Sequence, residues 1–186
     1  MRYLVLAPLI GIVLLSLQAY SPVAKAQNME PAVIAIVEFQ AIMRDAAAAK
    51  SIQVQIEARR SEYQAQISTE EGRLRELEQE LTRQRSVLSP EAYAKRRQKF
   101  EGDVAAVQRI VMDRRRELDQ AYANGVRELQ LELSDIIAEI AVERGITVVV
   151  PESQTLFVDN NLKISREVLK RLDERMPDLA LQFGPN

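Results

Sequence analysis

The stretch AVERGITVVV, Ala141 to Val150, contains a change of period. Before Gly145, apolar residues recur at helical spacing: Leu129, Leu133, Ile136 and Ile140. After it, Ile146-Thr147-Val148-Val149-Val150 is β-branched throughout, the composition of a strand. Glycine takes the left-handed conformation in which many helices end. The stretch therefore predicts a helix that stops at Gly145 and a strand that begins at Ile146.

Upstream, the helical pattern continues back through Tyr122, Leu118, Val111, Val107, Val104, Phe100 and Tyr93 to Pro90. Ser89-Pro90-Glu91 is a start signal: a capping hydroxyl, a proline at the first helical position and an acid at the positive helix end. Leu88 and Tyr93 occupy the staple positions around that cap. Before it, Gln40 to Leu88 reads as one long helix, with a seam at Tyr63, Ile67, Leu74, Leu77, Leu81 and Leu88. That seam is loose. Glu70 and Gln84 occupy seam positions, and Gly72 costs ~1 kcal/mol against Ala. Two long helices with a short connection pack antiparallel, here as an arm of ~70–80 Å.

The remaining pieces are short. Ala32 to Val37 is an apolar run that suits a buried strand. Beyond the strand at 146–150, Pro151-Glu152-Ser153 predicts a turn and Thr155 to Val158 a third strand. Asp159-Asn160-Asn161 predicts another turn. Ser165 is expected to cap a final helix, with Ile164 and Leu169 as its staple and Val168, Leu169 and Leu172 as its apolar face. The tail after Pro177 is expected to fray. The fold class is thus α+β, mainly helical: a long coiled-coil hairpin on a small strand body. Such a body is too small to be comfortable alone, and its open apolar strands call for partners. Homo-oligomerisation through Val33, Ile34, Ile36, Val37, Ile146, Val148, Val150, Leu156, Val158, Leu169 and Leu172 is the direct solution. Body residues fall at 32–38 and 146–176, and the arm at 39–145, within a single domain of residues 27–186.

Composition excludes most bond chemistry. Among 186 residues there is no Cys, His or Trp. No disulfide, thiol nucleophile, imidazole base or Cys/His metal site is available. No Ser stands three residues before a Lys, and adjacent acids such as Glu70-Glu71 do not face each other on a helix. Neither an enzyme nor a metal or cofactor protein is expected. A net charge of -2 argues against nucleic-acid binding, which calls for a basic domain. At the N-terminus, Arg2, the apolar run Leu4 to Leu17 and Ala24-Lys25-Ala26 have the order of a cleaved signal peptide over 1–26. The run is shorter than the ~20 residues of a spanning helix. Export to the periplasm is expected, where an ATP-driven mechanism is not.

The order of elements resembles the Skp family (OmpH-like) of periplasmic chaperones. Three segments carry the resemblance. Ile34-Ala35-Ile36-Val37-Glu38-Phe39-Gln40 is similar to the family's first strand and its V-D-x-Q exit into the helix. Ala141 to Val150 is similar to A-x-E-K-G-Y-x-x-V-x. Leu156-Phe157-Val158-Asp159, Leu162-Lys163-Ile164-Ser165 and Val168-Leu169-Lys170-Arg171-Leu172 are together similar to L-Y-x-D-x-x-x-D-I-T-x-x-V-L-K-x-L. Glu38 and Lys163 stand where the family has Asp, and Ser165 where it has Thr. The resemblance implies a homotrimer whose strands build a closed body. It also implies arms around a cavity that holds unfolded outer-membrane β-barrel proteins without ATP.

From Arg73 to Phe100 there are eight basic and four acidic residues. Arg83, Arg85, Lys95, Arg96, Arg97 and Lys99 form a basic tip suited to acidic unfolded clients or to an anionic lipid surface. Arg114-Arg115-Arg116, flanked by Asp113, Glu117 and Asp119, reads as a solvated stretch. The competing reading of the whole chain is a structural coiled-coil adaptor of the cell envelope that binds one specific partner. An adaptor calls for a tight seam and a specialised tip, whereas this seam is loose and this tip simply basic.

Overall fold

The computed structural model describes residues 31–184, so the expected signal peptide lies outside the described residues. Strand β1 (Ile34–Val37) leads into helices α1 (Phe39–Asp45), α2 (Ala47–Gln84) and α3 (Pro90–Arg144). Strand β2 (Val148–Pro151) follows, then two short 3-10 turns at Glu152–Gln154 and Asn160–Leu162, then helix α4 (Ser165–Arg175). Helix α3 has the expected bounds for the expected reasons. The Ser89 hydroxyl accepts from the Ala92 N–H at 3.3 Å, and Gly145 closes the helix at φ 64°.

Helices α2 and α3 form the antiparallel hairpin. Arg73 lies beside Asp103, Tyr63 beside Arg114 and Ile52 beside Gly125. At 55 residues against 38, α3 outruns α2 by ~25 Å. Its last turns carry the chain back past the start of β1. Strand β2 therefore enters parallel to β1, with Ile34 opposite Val148 and Val37 opposite Pro151.

The first long helix differs from its expected form. It breaks at Ala46, whose backbone is extended at ψ 143°. Alanine has no side chain with which to cap α2. The cap comes from α4, where Asp173 Oδ1 accepts from the Ala47 N–H at 2.8 Å. The small residues Ala46, Ala48 and Ala49 are buried there and admit this close approach. The expected third strand is also absent. Thr155–Val158 has no ladder partner, and Leu156 and Phe157 are fully solvent-exposed. A strand needs a neighbour to take its backbone hydrogen bonds. The free edge of β1 is met by a single bridge from Ile36 to Lys163. Ser165 does not cap α4 through its side chain. Its hydroxyl accepts instead from the Glu38 N–H at 2.8 Å, joining the exit of β1 to the start of α4. The tail does not fray at Pro177, because Leu179 is buried against the arm and its carbonyl accepts from the Gln55 side chain at 2.7 Å.

One core joins these pieces. Val37, Ile42, Ile52, Leu129, Leu133, Ile136, Ile140, Val168 and Leu172 are buried together. Charged residues lace α4 to α3 around its rim. Arg171 donates to Glu143 at 2.9 and 2.6 Å and to Glu167 at 2.7 Å. Arg175 donates to Glu139 and Glu132, and Arg144 to Glu167. Hydrogen bonds from Arg175 and Arg171 hold Glu139 and Glu143 below the ordinary glutamate value of 4.5. A depressed carboxylate stabilises the fold above its unfolded pKa, and that contribution is lost as pH falls through the folded value. Melting temperature should stay level from about pH 8 to about pH 6 and fall below about pH 4.5. Glu143→Gln should lose part of this acid sensitivity in circular-dichroism melts, and unchanged profiles would show that the lacing contributes nothing.

Candidate interaction surfaces of the arm and the strand end

The end of the arm is polar and open. Arg83 bonds Glu80 at 3.0 Å, and Arg97 bonds Glu101 at 3.0 Å. Arg96 reaches the neutral amide of Gln84. Arg85, Lys95 and Lys99 make no ion pair among the described residues. The expected basic tip is thus two locally neutralised arginines and four cations facing solvent. Arg96 and Lys99 border a cleft of about 420 Å³ between the helices, with Leu77, Leu81 and Phe100 as its apolar wall.

Between the tip and the base sits a clasp. Tyr63 is 5% exposed. The Arg114 and Arg59 guanidinium groups stand 4.6 and 5.7 Å from its ring centre, within cation–π range. Arg114 also bonds Glu117 at 2.9 Å. Burial and the Glu117 carboxylate push the Tyr63 phenol up. Burial opposes ionisation of Glu117, but Tyr63 and Arg114 outweigh it and hold the carboxyl below its usual range. The clasp is a boundary. Between Tyr63 and Val107, around the whole distal arm, no residue is buried.

The strand end has a different character. Val33, Ile34 and Val148 are 44–47% exposed, and Leu156 and Phe157 stand wholly in solvent. Ile146, Val150, Val158 and Leu169 are half-buried. Ile36, Val37 and Leu172 are already inside the single chain, at 4% exposure or less. Among the described residues the outer edge of β2 has no strand beside it. An apolar, open-edged surface of this kind is a candidate interaction surface. Among the described residues no cluster of acidic side chains is placed to hold a metal. No described helix is long and apolar enough to cross a membrane.

The family model described as outer membrane protein (OmpH-like) matches residues 33–172, from before β1 into α4. The chain belongs to the OmpH-like family. Its fold is that of a crystallised OmpH-like candidate outer membrane chaperone from Caulobacter crescentus. That protein is 14% identical, with a TM-score of 0.77 over 85% of this chain and 94% of the other. No curated protein sequence matches the chain.

Two departures from the OmpH-like pattern prove to be neighbours. Lys163 Nζ donates to Glu38 at 2.9 Å and to Glu152 at 2.8 Å. The hydrogen bond from Lys163 is the largest cause of the lowered Glu38 carboxyl. The cation ties the exit of β1 to the turn after β2. Sequence reasoning missed this triad, and it also missed the tyrosine clasp. The only available signals were an isolated Tyr among arginines and two unconnected departures from the family pattern, of which only Lys163 changes the charge.

The boundary at the clasp has a measurable consequence. Leu133 is fully buried, while Leu81 is partly exposed. Leu133→Ala should cost ~2–5 kcal/mol in urea titrations, as for core leucines generally, and Leu81→Ala less than ~1 kcal/mol, as expected outside a core. Backbone amides over 64–106 should exchange faster than those over 129–140. Uniform protection along both helices would make the arm a rigid rod.

Proposed function

We propose that this OmpH-like chain is an ATP-independent periplasmic holdase chaperone, and that it keeps unfolded outer-membrane β-barrel proteins from aggregating. The observation that carries the reading is the contrast along the arm. A packed base supports long helices whose distal halves bury no side chain and so can yield to a client of irregular shape. Capture works by many weak contacts with no side-chain register, and their number raises the total through effective concentration. The half-exposed apolar groups of the arm, such as Ile110, Met112 and Tyr122, suit that role. The strand end supports assembly into a homotrimer, with Val33, Ile34, Val148, Leu156 and Phe157 facing the neighbouring copies. Three arms then surround one cavity, and their unpaired cations ring its opening.

Diluting a urea-denatured porin into the mature protein should suppress its aggregation near one trimer per client. No suppression, with one tight native partner in a pull-down, would make the chain an envelope adaptor. Val148→Asp should leave the helix content of the chain intact and lower its mass from trimer towards monomer. Ile36→Asp should unfold the base, because it strands a charge in the core. A Val148→Asp protein that remained a trimer would place the interface elsewhere.

The tip makes a separate prediction. Rim charges act chiefly on the association rate. Reversing Arg85, Lys95, Arg96 and Lys99 to Glu should slow stopped-flow capture of an acidic unfolded barrel about tenfold at low salt. The difference should vanish near ~1 M salt, where screening acts within ~3 Å. Equal rates at low salt would reduce the tip to a solvated surface.

A further inference from the structure

The family match ends at Leu172, but the ordered chain does not. After α4 the tail runs back along the hairpin in extended form. Its burial alternates: Leu179 is buried, Leu181 and Phe183 are half-buried, and Ala180 and Gln182 between them are exposed. One side chain on α2 holds its backbone. Gln55 Nε2 donates to the Leu179 carbonyl at 2.7 Å, and Gln55 Oε1 accepts from the Leu181 N–H at 2.9 Å. A neighbouring strand offers the same donor and acceptor to residues two apart. The seat beneath is equally particular. A Cβ at Gly125 would come within 2.5 Å of Leu181 Cδ2 and 3.3 Å of Ile52 Cδ1. Glycine is disfavoured inside a helix, yet here its lack of a side chain makes the room that Leu181 fills. The Arg59 guanidinium lies 4.7 Å from the centre of the Phe183 ring.

The recognition is generic. It reads backbone plus an apolar residue at every second position, with a large aliphatic side chain over Gly125 and an aromatic ring beside Arg59, and any segment that offers these can take it. A strand of an outer-membrane barrel alternates in this way. We propose that the seat formed by Ile52, Gln55, Arg59 and Gly125 is a binding site for one extended segment of an unfolded client with alternating apolar residues, and that the C-terminal tail is its built-in competitor. This deepens the holdase reading and rests on it for the identity of the client. Helix α4 is fixed to α3, so the tail's origin is fixed and its effective concentration at the seat is of millimolar order, ~1 mM for a short tether. Single weak segments are then refused. A client that offers many segments displaces the tail.

The probe is a fluorescein-labelled nonapeptide with leucine or phenylalanine at alternate positions and threonine between. The control has the same composition with its apolar residues clustered. Anisotropy titrations compare the intact protein with Leu181→Asn/Phe183→Ser, which loosens the tail but keeps Leu179. The loosened protein should bind the alternating peptide at least about tenfold more tightly. Adding Gln55→Ala should return binding to the weak level with helix content unchanged. The clustered peptide should gain nothing. Should the loosened variant fail to fold, the wild-type chain with a fluorophore at its C-terminus serves instead. Excess unlabelled alternating peptide should free the tail and lower its anisotropy. Equal affinities with and without the tail contacts, or a tail that stays bound under excess peptide, would make it a fixed strap and overturn the proposal. Equal binding of the clustered peptide would overturn it too. Loss of aggregation suppression with tail displacement intact would sink the holdase reading alone. Intact suppression with no displacement would sink the seat alone.

Discussion

The fold depends on holding the two ends of the arm together. Val33 and Thr147, separated by 114 positions, exchange hydrogen bonds through the backbone and the threonine hydroxyl at 2.9 Å. The parallel pairing of β1 and β2 continues from there. A pair of four-residue strands is marginal by itself. It holds because other elements lock its far side. The Ile164 N–H donates to the Ile36 carbonyl at 2.9 Å, Ser165 receives the Glu38 N–H, and α4 covers Val37 with Val168 and Leu172. Closing a loop of this length costs only slightly more entropy than closing a shorter one. The base therefore bears nearly the whole cost of order, and the arm can extend without weakening it.

This division explains how much was legible. Gly145, Ser89-Pro90 and the apolar spacing between them are local signals, and α3 has the bounds they predict. The break at Ala46 was hidden because its cap is Asp173, 126 positions from the amide it serves. Nothing near Ala46 announces a helix start. Thr155–Val158 has the composition of a strand, but composition does not supply a neighbour, and none exists among the described residues. The tail misled for a related reason. The stretch after Pro177 reads as a fraying end, and nothing near it in the chain announces Gln55 and Gly125, the residues that receive it.

The candidate surfaces were legible in part. The basic tip was visible as a charge count, but a count cannot show that Glu80 and Glu101 hold Arg83 and Arg97. The apolar body residues were visible as a set. Their division, with Ile36, Val37 and Leu172 spent inside the chain and Val33, Ile34 and Val148 left outside, depends on which way each strand faces.

The tyrosine clasp gives the arm the mechanics of a cantilever. Below it the two helices are packed together through buried side chains such as Ile52, Ile56, Ala121 and Leu129, and they resist bending as one thick beam. Above it, Arg73–Asp103 and Arg96–Gln84 are the polar links between them among the described residues. The pairs Arg73–Glu70, Arg83–Glu80 and Arg97–Glu101 stiffen each rod separately. Two rods that slide past each other are far more compliant than the same rods glued together. From Tyr63 to Gln84 the free span is ~30 Å, and the deflection of a cantilever's end grows as the cube of its free span. Where the clasp sits along the hairpin thus sets how far the end can swing under a given load, so moving that single layer by a few turns would retune the reach of the arm without lengthening the chain.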